Sequence, residues 1–427
     1  MIIWEYMKII ADLHIHSKYA RAVSPKMQIP DIYFWSARKG INLISTGDFT
    51  HPQYLKHLKE NLQENDSGFL QYKNSKPGDR KVKFVLGTEI ACIYKDKEKV
   101  RRLHLCVLVP DFVSVEKIIS ALEKRKCNLK SDGRPIIGMS AKELTDICLQ
   151  ANEKALIIPA HIWTPWFGLL GSKSGYDSLT DCFEEYSKNI YAVETGLSSD
   201  PPMNWRLSAL DDLTLVSSSD AHSPRNIGRE ANVFKMQKFT YGEMYDILKN
   251  KDQEKFLYTV EFYPQEGRYH YDGHRKCDFV CSPQDSKNKH KNICPLCKRE
   301  LTLGVEHRVD DLADRELGFK PKEAIDFKSL VPLQEIISEC LQKGKNTKSV
   351  QTVYEKMIKN NSEFEVLLDL DKQEIKSMAN KVIAEAVERV RQGRIHIEPG
   401  YDGDYGTVRI FNEKEINELL PQQEKLF

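Results

Sequence analysis

The sequence lacks any apolar run that approaches the roughly 20 residues needed to cross a membrane as a helix. Its opening segment, residues 1–6, is too short for a secretory signal peptide and lacks the basic residues that begin one. Low-complexity tracts and internal repeats of about 20–50 residues are also missing. These absences argue against a helical membrane protein, an exported protein and a solenoid, and we expect a cytoplasmic protein.

The sequence also has little net charge, with 63 basic residues against 62 acidic residues and a formal charge of +1. A general basic field for binding nucleic acid is therefore not indicated, and any contact with DNA must come from local patches. The hydrophobic fraction of 41% and the charged fraction of 29% are typical of a folded globular protein. At 427 residues, the chain is long enough for two or three domains.

Paired cysteines are confined to one short segment. Most of the ten cysteines are scattered singly, several of them in apolar stretches, as is usual for buried thiols. The exceptions form a CxxxC pair and a CxxC pair, namely Cys277, Cys281, Cys294 and Cys297. Four thiolates in two close pairs are typical of a closed tetrahedral site for one structural zinc ion. Without an export signal, zinc is favoured over disulfides.

A His-x-His pair follows the first predicted strand. Residues 7–11 form an apolar run typical of a buried strand, and the sequence Asp12-Leu13-His14-Ile15-His16-Ser17 comes next. Alternate residues of an extended chain point to one face, so His14 and His16 project together, about 7 Å apart. Two such imidazoles can bind one metal ion or two adjacent ions, although a pair of packed histidines has the same pattern.

The same pattern, an apolar strand followed by a metal-type ligand, recurs as far as residue 249. Further strands are predicted at residues 41–46, 83–86, 104–109, 155–159 and 213–217, and helices at 29–39 and 140–152. This alternation predicts an α/β fold with a mainly parallel sheet or barrel, in which strand ends converge on one active site. The ligand-type residues at these strands are Asp48, Glu89, His104, His161, Asp220 and His222.

With His14 and His16, these ligands are more than a single metal ion takes. The set therefore predicts two or three ions that share a bridging carboxylate, most naturally Glu89. Clustered divalent ions activate water and stabilise a leaving oxygen, so phosphate-ester hydrolysis is the first interpretation and amide hydrolysis the second. Mixed imidazole and carboxylate ligands suit Zn, Mn, Mg or Fe. The candidate catalytic residues are Glu89, Asp220 and His222.

These residues resemble the motifs of the PHP (polymerase and histidinol phosphatase) superfamily, whose members are metal-dependent phosphoesterases with a distorted (β/α) barrel. The resemblance implies three ion sites. The first would be held by His14, His16, Glu89 and Asp220, the second by Glu89, His104 and His161, and the third by Asp48 and His222. The chain departs from many members at Thr46-Gly47-Asp48, where they have Thr-Asp-His.

Several rare strings extend the resemblance over nearly the whole chain, to the endonuclease Q family. They are DGRPIIG (132–138), HIWTPWFG (161–168), ETGLSSDPPMNWR (194–206), RYHYDGHRKC (268–277), LTLGVEHRVDDLADR (301–315) and FEVLLD (364–369). The resemblance implies a DNA repair endonuclease, associated with the nucleoid, that recognises deaminated bases (uracil, hypoxanthine and xanthine) and abasic sites. Such an enzyme hydrolyses the phosphodiester 5′ to the lesion.

Changes in composition and periodicity along the sequence divide the chain into four parts. We predict a PHP barrel over residues 1–255, a zinc-binding module over 256–330, a helical domain over 331–400 and a tail over 401–427. Residues 375–390 have strong helical periodicity, with Ala379, Ile383, Ala386 and Val390 on one face. The tail ends in QEKLF (423–427), which resembles the QxxLF peptides that bind the bacterial sliding clamp. Packing of the tail on its own domain is the alternative.

Aromatic residues near the predicted ligands are candidates for contact with a damaged base. One set directly follows His161 and consists of Trp163, Trp166 and Phe167, which either line a base pocket or belong to the barrel core. The other set lies just before the cysteine segment and consists of Tyr269, His270, Tyr271, His274 and Arg275. Mixed basic and aromatic residues suit phosphate contact and base stacking, and a packed loop is the alternative.

Two other functions fit part of the sequence. A PHP phosphatase that acts on a small phosphomonoester needs the barrel but neither the zinc module nor the helical domain. A non-enzymatic DNA-binding protein whose barrel has lost its activity would not need metal ligands, and the nearly complete set of predicted ligands argues against it. We therefore interpret the chain as a metal-dependent DNA endonuclease.

Overall fold

The computed structural model describes residues 6–419. The strands are β1 (Met7–Asp12), β2 (Leu43–Ser45), β3 (Leu62–Gln63), β4 (Leu70–Tyr72), β5 (Lys83–Asp96), β6 (Lys99–Val109), β7 (Ile136–Ile137), β8 (Leu156–Pro159), β9 (Ala192–Glu194), β10 (Thr214–Val216), β11 (Ala231–Met236), β12 (Phe256–Glu261), β13 (Asp272–His274), β14 (Phe279–Cys281), β15 (Asp326–Ser329), β16 (His396–Glu398) and β17 (Thr407–Arg409).

Helices connect many of these strands and dominate the last third of the chain. They are α1 (Ile29–Lys39), α2 (Pro52–Asn61), α3 (Phe112–Lys124), α4 (Ala141–Ala151), α5 (Leu179–Phe183), α6 (Pro201–Asn204), α7 (Tyr241–Asn250), α8 (Pro283–Asp285), α9 (Val305–Leu312), α10 (Leu333–Leu341), α11 (Lys348–Met357), α12 (Lys372–Met378), α13 (Lys381–Arg391) and α14 (Glu413–Leu419). Between residues 6 and 419, no helix combines the length and apolar character that a membrane crossing requires.

A ring of strands forms the centre of the fold. β1 pairs parallel with β2, β2 pairs parallel with β5, and β5 and β6 form a hairpin that continues to β8. Beyond the strand ends, Ile162 N donates to Glu194 O (3.0 Å) and His16 N donates to Ala221 O (3.1 Å). These bonds join β8 to β9 and β10 to β1, and β9 pairs parallel with β10. The ring is a distorted barrel, and the predicted α/β fold is confirmed.

The sheet is mixed, however, and the prediction of a mainly parallel sheet is wrong. β11 pairs antiparallel with both β1 and β12, and β6 pairs antiparallel with both β5 and β8. The main reason is β5, which continues past the predicted end at residue 86 as far as Asp96 and turns back into β6 at Lys99. A turn this short can join only antiparallel strands, because a parallel pair needs a long crossover connection.

The chain divides into two compact units. Of the described residues, the first unit comprises 6–37, Ile41–Glu261 and Val305–Phe327, and the second comprises Arg38–Gly40, Phe262–Gly304 and 328–419. The four domain boundaries drawn from the sequence remain predictions. The candidate clamp peptide, residues 423–427, lies outside the described residues.

Local sequence signals set the helix ends in both units. Helix α4 begins with the predicted capping box, in which Ser140 and Glu143 each bond to the other's backbone N–H. In the second unit, the periodic stretch 375–390 forms two helices instead of one. Helix α12 ends at Met378, and the Asn380 side chain caps α13 by accepting from Ile383 N at 2.9 Å.

Candidate functional site

His14 and His16 follow β1 and point to the same side of it. Ile9, Ala11 and Leu13 face the hydrophobic core, so the alternating residues of this extended segment face the opposite side. Both imidazoles are buried. Because a slip of one residue would exchange the two faces, core packing fixes the direction of the histidines.

Two carboxylates from other strands meet these imidazoles. Nε2 of His16 lies 3.3 Å from Oε2 of Glu89 and 3.1 Å from Oδ1 of Asp220. Nε2 of His14 lies 3.7 Å from Oε1 of Glu89 and 3.7 Å from Oδ1 of Asp220. Glu89 projects from the middle of β5, and Asp220 follows β10. The structure thus brings together four of the predicted ligands.

Glu89 also belongs to a second group of ligand atoms. Its Oε1 lies 2.8 Å from Nδ1 of His104 on β6 and 3.2 Å from Nε2 of His161 after β8. The two imidazole nitrogens are themselves 3.2 Å apart. Nδ1 of His161 bonds to the Thr164 hydroxyl at 2.9 Å, which leaves Nε2 directed at Glu89. One carboxylate therefore serves two clusters of imidazoles.

His222 forms a third group with His16 and Asp220. Its Nδ1 donates to the Asp220 carbonyl oxygen at 2.8 Å, and its ring centroid lies 4.8 Å from that of His16. The His222 side chain is about one-third exposed, whereas the His16 side chain is fully buried. This edge of the centre is therefore open to a substrate.

The residues of the centre fit divalent metal ions. Nε2 of His14, Nε2 of His16 and Oδ1 of Asp220 are buried atoms without a hydrogen-bond partner in the described part of the chain. Buried polar atoms normally have a hydrogen-bond partner. Three such atoms that lack one and face the same point indicate that a cation binds there. Imidazole nitrogens and carboxylate oxygens are the usual ligands of Zn, Mn and Fe.

The structure places Asp48 behind His16, apart from the groups that can hold an ion. Nδ1 of His16 donates to Asp48 Oδ1 at 3.1 Å, and Ser17 N donates to Asp48 Oδ2 at 2.5 Å. A Cβ on Gly133 would lie 2.5 Å from Asp48 Oδ2, so a glycine is needed for the 132–138 segment to pack here. These contacts make Asp48 a hydrogen-bond partner of His16, and its assignment to a third ion stays a prediction.

Glu194 and Arg134 are two residues of the site that the sequence analysis did not single out. Nδ1 of His14 lies 3.1 Å from both carboxylate oxygens of Glu194, and His161 N donates to Glu194 Oε2 at 2.9 Å. Nη1 of Arg134 donates to Glu89 Oε2 at 3.1 Å. Glu194 directly follows the apolar run of residues 190–193, which is the pattern that the sequence analysis used for the other ligands, and this signal could have identified it. Arg134 lies in the DGRPIIG string, but nothing in its spacing indicates contact with Glu89.

Electrostatics keep the central carboxylates ionised. Burial raises the pKa of Glu89, but His104 and His14 lower it, and the net pKa lies well below the usual value. Burial likewise raises the pKa of Asp220, but His14 and His16 lower it more. Burial lowers the pKa of His16, whereas Asp48, Asp220 and Glu89 raise it well above the usual value. The carboxylates therefore remain available to bind cations.

Three residues of the centre have a left-handed backbone conformation. Their φ angles are +48° at Asp48, +30° at His161 and +46° at Asp220. This conformation is uncommon for residues other than glycine and costs of order 1–3 kcal/mol at each position. Each lies two to four residues after a strand. The turn directs His161 and Asp220 at the ligand groups and directs Asp48 at His16.

The aromatic residues after His161 have different environments. Trp163 is buried and donates from Nε1 to Asn204 Oδ1 at 2.8 Å, so it belongs to the core. Phe167 packs on His104 with 4.3 Å between ring centroids. Trp166 is 50% exposed, and the Arg102 guanidinium lies 4.9 Å from its ring centroid. Trp166 is the member of this set that can stack on a base.

In the second unit, the cysteine segment forms a compact group of ligand atoms. His274, Cys277, Cys294 and Cys297 each offer one ligand atom, and these atoms lie within 4.8 Å of one another. Three thiols and an imidazole fit a tetrahedral zinc ion, as in many structural sites. The structure does not bring Cys281 into this group, and His274 stands where the sequence analysis has that cysteine. All ten cysteines are free thiols.

The residues before this group also differ in exposure. Tyr269 is 45% exposed, and Arg275 is exposed, with its Nε 3.1 Å from Asp404 Oδ1. His270 is buried, and burial lowers its pKa to about 4. Tyr271 stacks on His270 with 5.2 Å between ring centroids. Tyr269 and Arg275 can therefore meet a ligand, whereas His270 and Tyr271 support the loop.

A known family and a curated relative are each similar to part of the chain. The family described as "MJ0043 C-terminal domain" matches residues 332–394. The uncharacterized protein MJ0043 of Methanocaldococcus jannaschii is 36% identical over 259 residues, which are 59% of this chain and 32% of MJ0043. The matched part of the chain thus spans about a third of that relative's length.

Two solved structures are similar over nearly the whole chain. The lesion-specific endonuclease PfuEndoQ from Pyrococcus furiosus has a TM-score of 0.84 and 31% identity, with 98% of each chain covered. Endonuclease Q in complex with a 27-mer duplex substrate, which has an abasic lesion at the active site, has a TM-score of 0.82 and 30% identity. That match covers 99% of this chain and 100% of the other. The sequence resemblance is confirmed, and the chain belongs to the endonuclease Q family.

Proposed function

We propose that this protein is a metal-dependent DNA endonuclease that recognises deaminated bases (uracil, hypoxanthine and xanthine) and abasic sites. It hydrolyses the phosphodiester 5′ to the lesion. The observation that carries the proposal is the position of Glu89 between two groups of imidazoles, in a chain of the endonuclease Q family. A solved structure of endonuclease Q with an abasic duplex at its active site supports DNA as the substrate.

The ligand groups give each residue a role. One ion would be held by His14, His16, Glu89 and Asp220, a second by Glu89, His104 and His161, and His222 with Asp220 would contribute to a third. Divalent ions at such a centre supply an activated water and neutralise charge that develops on the phosphate. Arg134 holds Glu89 in position and adds positive charge beside it. The open side at His222 admits the phosphodiester.

Lesion recognition would use the exposed aromatic residue beside the centre. A base inside a duplex must leave the stack before a protein can read it, which costs a few kcal/mol and less at a mismatch or abasic site. Trp166 offers an exposed ring for stacking, and Arg102 beside it offers positive charge for a phosphate. Phe167 keeps His104 and the 161–176 loop in contact.

The second unit would contribute a structural zinc ion and further DNA contacts. We assign the zinc ion to His274, Cys277, Cys294 and Cys297. Near them, Tyr269 and Arg275 are exposed and suit base stacking and phosphate contact. The sliding clamp would be the protein partner, through residues 423–427, and the protein would work at the nucleoid.

The direct test uses a labelled duplex that contains one uracil, incubated with the protein and Mn²⁺ or Mg²⁺. We expect one cut immediately 5′ of the uracil, and no cut with thymine in its place or with EDTA present. Replacement of Asp220 by Asn should abolish the cut while the protein still binds the duplex, because Asp220 is a ligand and not a DNA contact. Absence of cutting, together with phosphate release from a small phosphomonoester, would replace the proposal by the phosphatase alternative.

A further inference from the structure

A polar cavity of about 500 Å³ lies beside the tip of the β5–β6 hairpin in the first unit. The hairpin contributes Lys97, Lys99 and Arg101, the loop that follows β8 contributes Lys173, and helix α9 contributes Arg308. None of the functions assigned above uses this cavity. Its lining also includes the carboxylates of Asp96, Asp177 and Asp181. Basic side chains outnumber them five to three and there is very little apolar surface, so the cavity fits an anion better than an apolar group.

The arginines of the cavity contact other groups of the protein, whereas its lysines form no ion pair within residues 6–419. Arg308 donates to Asp177 Oδ1 at 2.6 Å, and the Arg101 guanidinium lies 3.8 Å from the Tyr176 ring centroid. Lys97, Lys99 and Lys173 are exposed, and within residues 6–419 none forms an ion pair. The cavity therefore presents three ammonium groups that no ion pair holds, and Lys99 has only a longer-range attraction to Asp177.

The segments that build the cavity also carry ligands of the metal centre. Strand β6 contains Lys99 and Arg101 and, three residues after Arg101, His104. The loop of residues 161–176 begins at His161, presents Trp166 and continues to Lys173. A single strand and a single loop thus connect the metal centre to the cavity, with the Arg102 and Trp166 pair between them.

The 161–176 loop is fixed against β6. Lys173 N donates to Pro165 O at 3.0 Å, and the Ser174 hydroxyl donates to Arg102 O at 3.1 Å. A Cβ on Gly171 would lie 2.2 Å from a carbonyl oxygen of the same loop, so a glycine is required for this close packing. The lysine on the loop is therefore held at a set distance from the metal centre.

That distance matches a short stretch of DNA. Five residues of a strand separate His104 from Lys99, which corresponds to about 17 Å. One strand of duplex DNA carries a phosphate every ~3.4 Å along the helix axis, so about five nucleotides span the same length. Building on the proposed endonuclease function, we propose that Lys97, Lys99 and Lys173 bind phosphates of the cleaved strand within about five nucleotides of the cut.

The experiment measures binding of a duplex with one abasic site as a function of salt concentration. The double variant Lys99→Glu/Lys173→Glu should weaken binding about 10- to 100-fold at moderate salt and lower the salt slope by about 2, since each phosphate contact contributes about 0.9. The rate of cutting at saturating DNA should stay within about twofold of wild type. Lys99→Arg/Lys173→Arg should restore both the affinity and the slope.

Lys8→Glu/Lys235→Glu is the matched control. These exposed lysines pair across β1 and β11, at the end of β1 opposite the metal ligands. The inference is overturned if the cavity variant and the control have equal affinities and equal salt slopes. It is also overturned if inorganic phosphate protects the cavity lysines from acetylation and the DNA duplex does not. Failure of the wild-type protein to cut the duplex would instead overturn the proposed function.

Discussion

At the level of single residues, each histidine of the His-x-His pair is held by its own carboxylate. Glu194 accepts from Nδ1 of His14, and Asp48 accepts from Nδ1 of His16. A hydrogen bond at Nδ1 fixes the tautomer and leaves Nε2 as the nitrogen that can bind a metal ion. Each carboxylate is itself held by a backbone N–H, from His161 and Ser17 respectively. The ligands are therefore oriented before any ion binds.

Replacement of these carboxylates should weaken metal binding. We expect Glu194→Gln and Asp48→Asn to lower the affinity for Mn²⁺ or Zn²⁺ about 10- to 100-fold, because loss of a carboxylate partner makes the imidazole less basic and less well oriented. Competition with a chelator measures the affinity, and cutting at high metal concentration should recover in part. Glu116→Gln, a surface change on α3, is the control, and equal affinities of all three variants would contradict the prediction.

Trp166 and Trp163 should respond differently to replacement. Trp166→Ala should lower the preference for a uracil duplex over a thymine duplex about 10-fold, since a stacking contact is worth about 1–3 kcal/mol per base. Trp163→Ala should instead destabilise the fold by about 3–5 kcal/mol, because it empties a fully buried site. Cutting rates on matched duplexes and thermal unfolding separate the two effects. Unchanged discrimination in Trp166→Ala would remove its proposed role.

At the level of the elements, the sequence predicts where strands lie better than how far they extend. The apolar run at residues 83–86 marks the start of β5, but the strand continues through mixed residues because β6 pairs with it along the whole hairpin. Glu89 and His104 consequently lie within strands, not at their ends. The convergence of the ligands could be predicted from their repeated position after strands. The role of Asp48 could not, because only the folded chain shows which atom it contacts.

The zinc module gives a test of ligand identity. The structure gathers His274 with three of the four predicted cysteines, so we expect Cys281→Ser to keep one zinc ion per module. Cys277→Ser and His274→Ala should lose zinc, because a structural site needs all four of its ligands. Elemental analysis of the purified variants measures the bound zinc. Loss of zinc in Cys281→Ser but not in His274→Ala would restore the four-cysteine assignment.

A buried carboxyl group at the end of β12 should make the first unit less stable at high pH. Glu261 is fully buried, and burial raises its pKa to about 8 despite hydrogen bonds from Thr259, Thr195 and Ser217. The folded state then holds a proton that the unfolded state releases near pH 4.5. Stability therefore falls as the pH rises from about 4.5 to about 8, by about 2–4 kcal/mol from this group.

Glu261→Gln tests this reasoning because glutamine keeps the shape without the ionisation. We expect the variant to gain stability over wild type at pH 9 and to differ little at pH 5, as measured by urea unfolding in EDTA. Asp200 and Glu306 have pKa values raised to about 6 and about 7 by burial, so part of the pH dependence will remain. A wild-type stability that is independent of pH would contradict the prediction.

At the level of the whole molecule, near-zero net charge leaves no general attraction for DNA. Contact must then come from small basic sites on an otherwise balanced surface, such as the lysines of the hairpin cavity and the arginine beside Trp166. Local sites neutralise few phosphates, so affinity for undamaged duplex should be weak at physiological salt. A protein with weak affinity for undamaged duplex would be recruited to DNA more efficiently by a second interaction, and a clamp-binding tail would supply it.

Deletion of Leu426 and Phe427 tests that role for the tail. We expect the truncated protein to lose binding to the bacterial sliding clamp, since the two large apolar residues of a QxxLF peptide are the ones that a groove can bury. Cutting of a short uracil duplex without the clamp should be unchanged, because the deletion leaves the metal ligands intact. Glu424→Ala, at a variable position of the motif, should keep clamp binding. Clamp binding that survives the deletion would show that the tail has another function, whatever the fate of the nuclease activity.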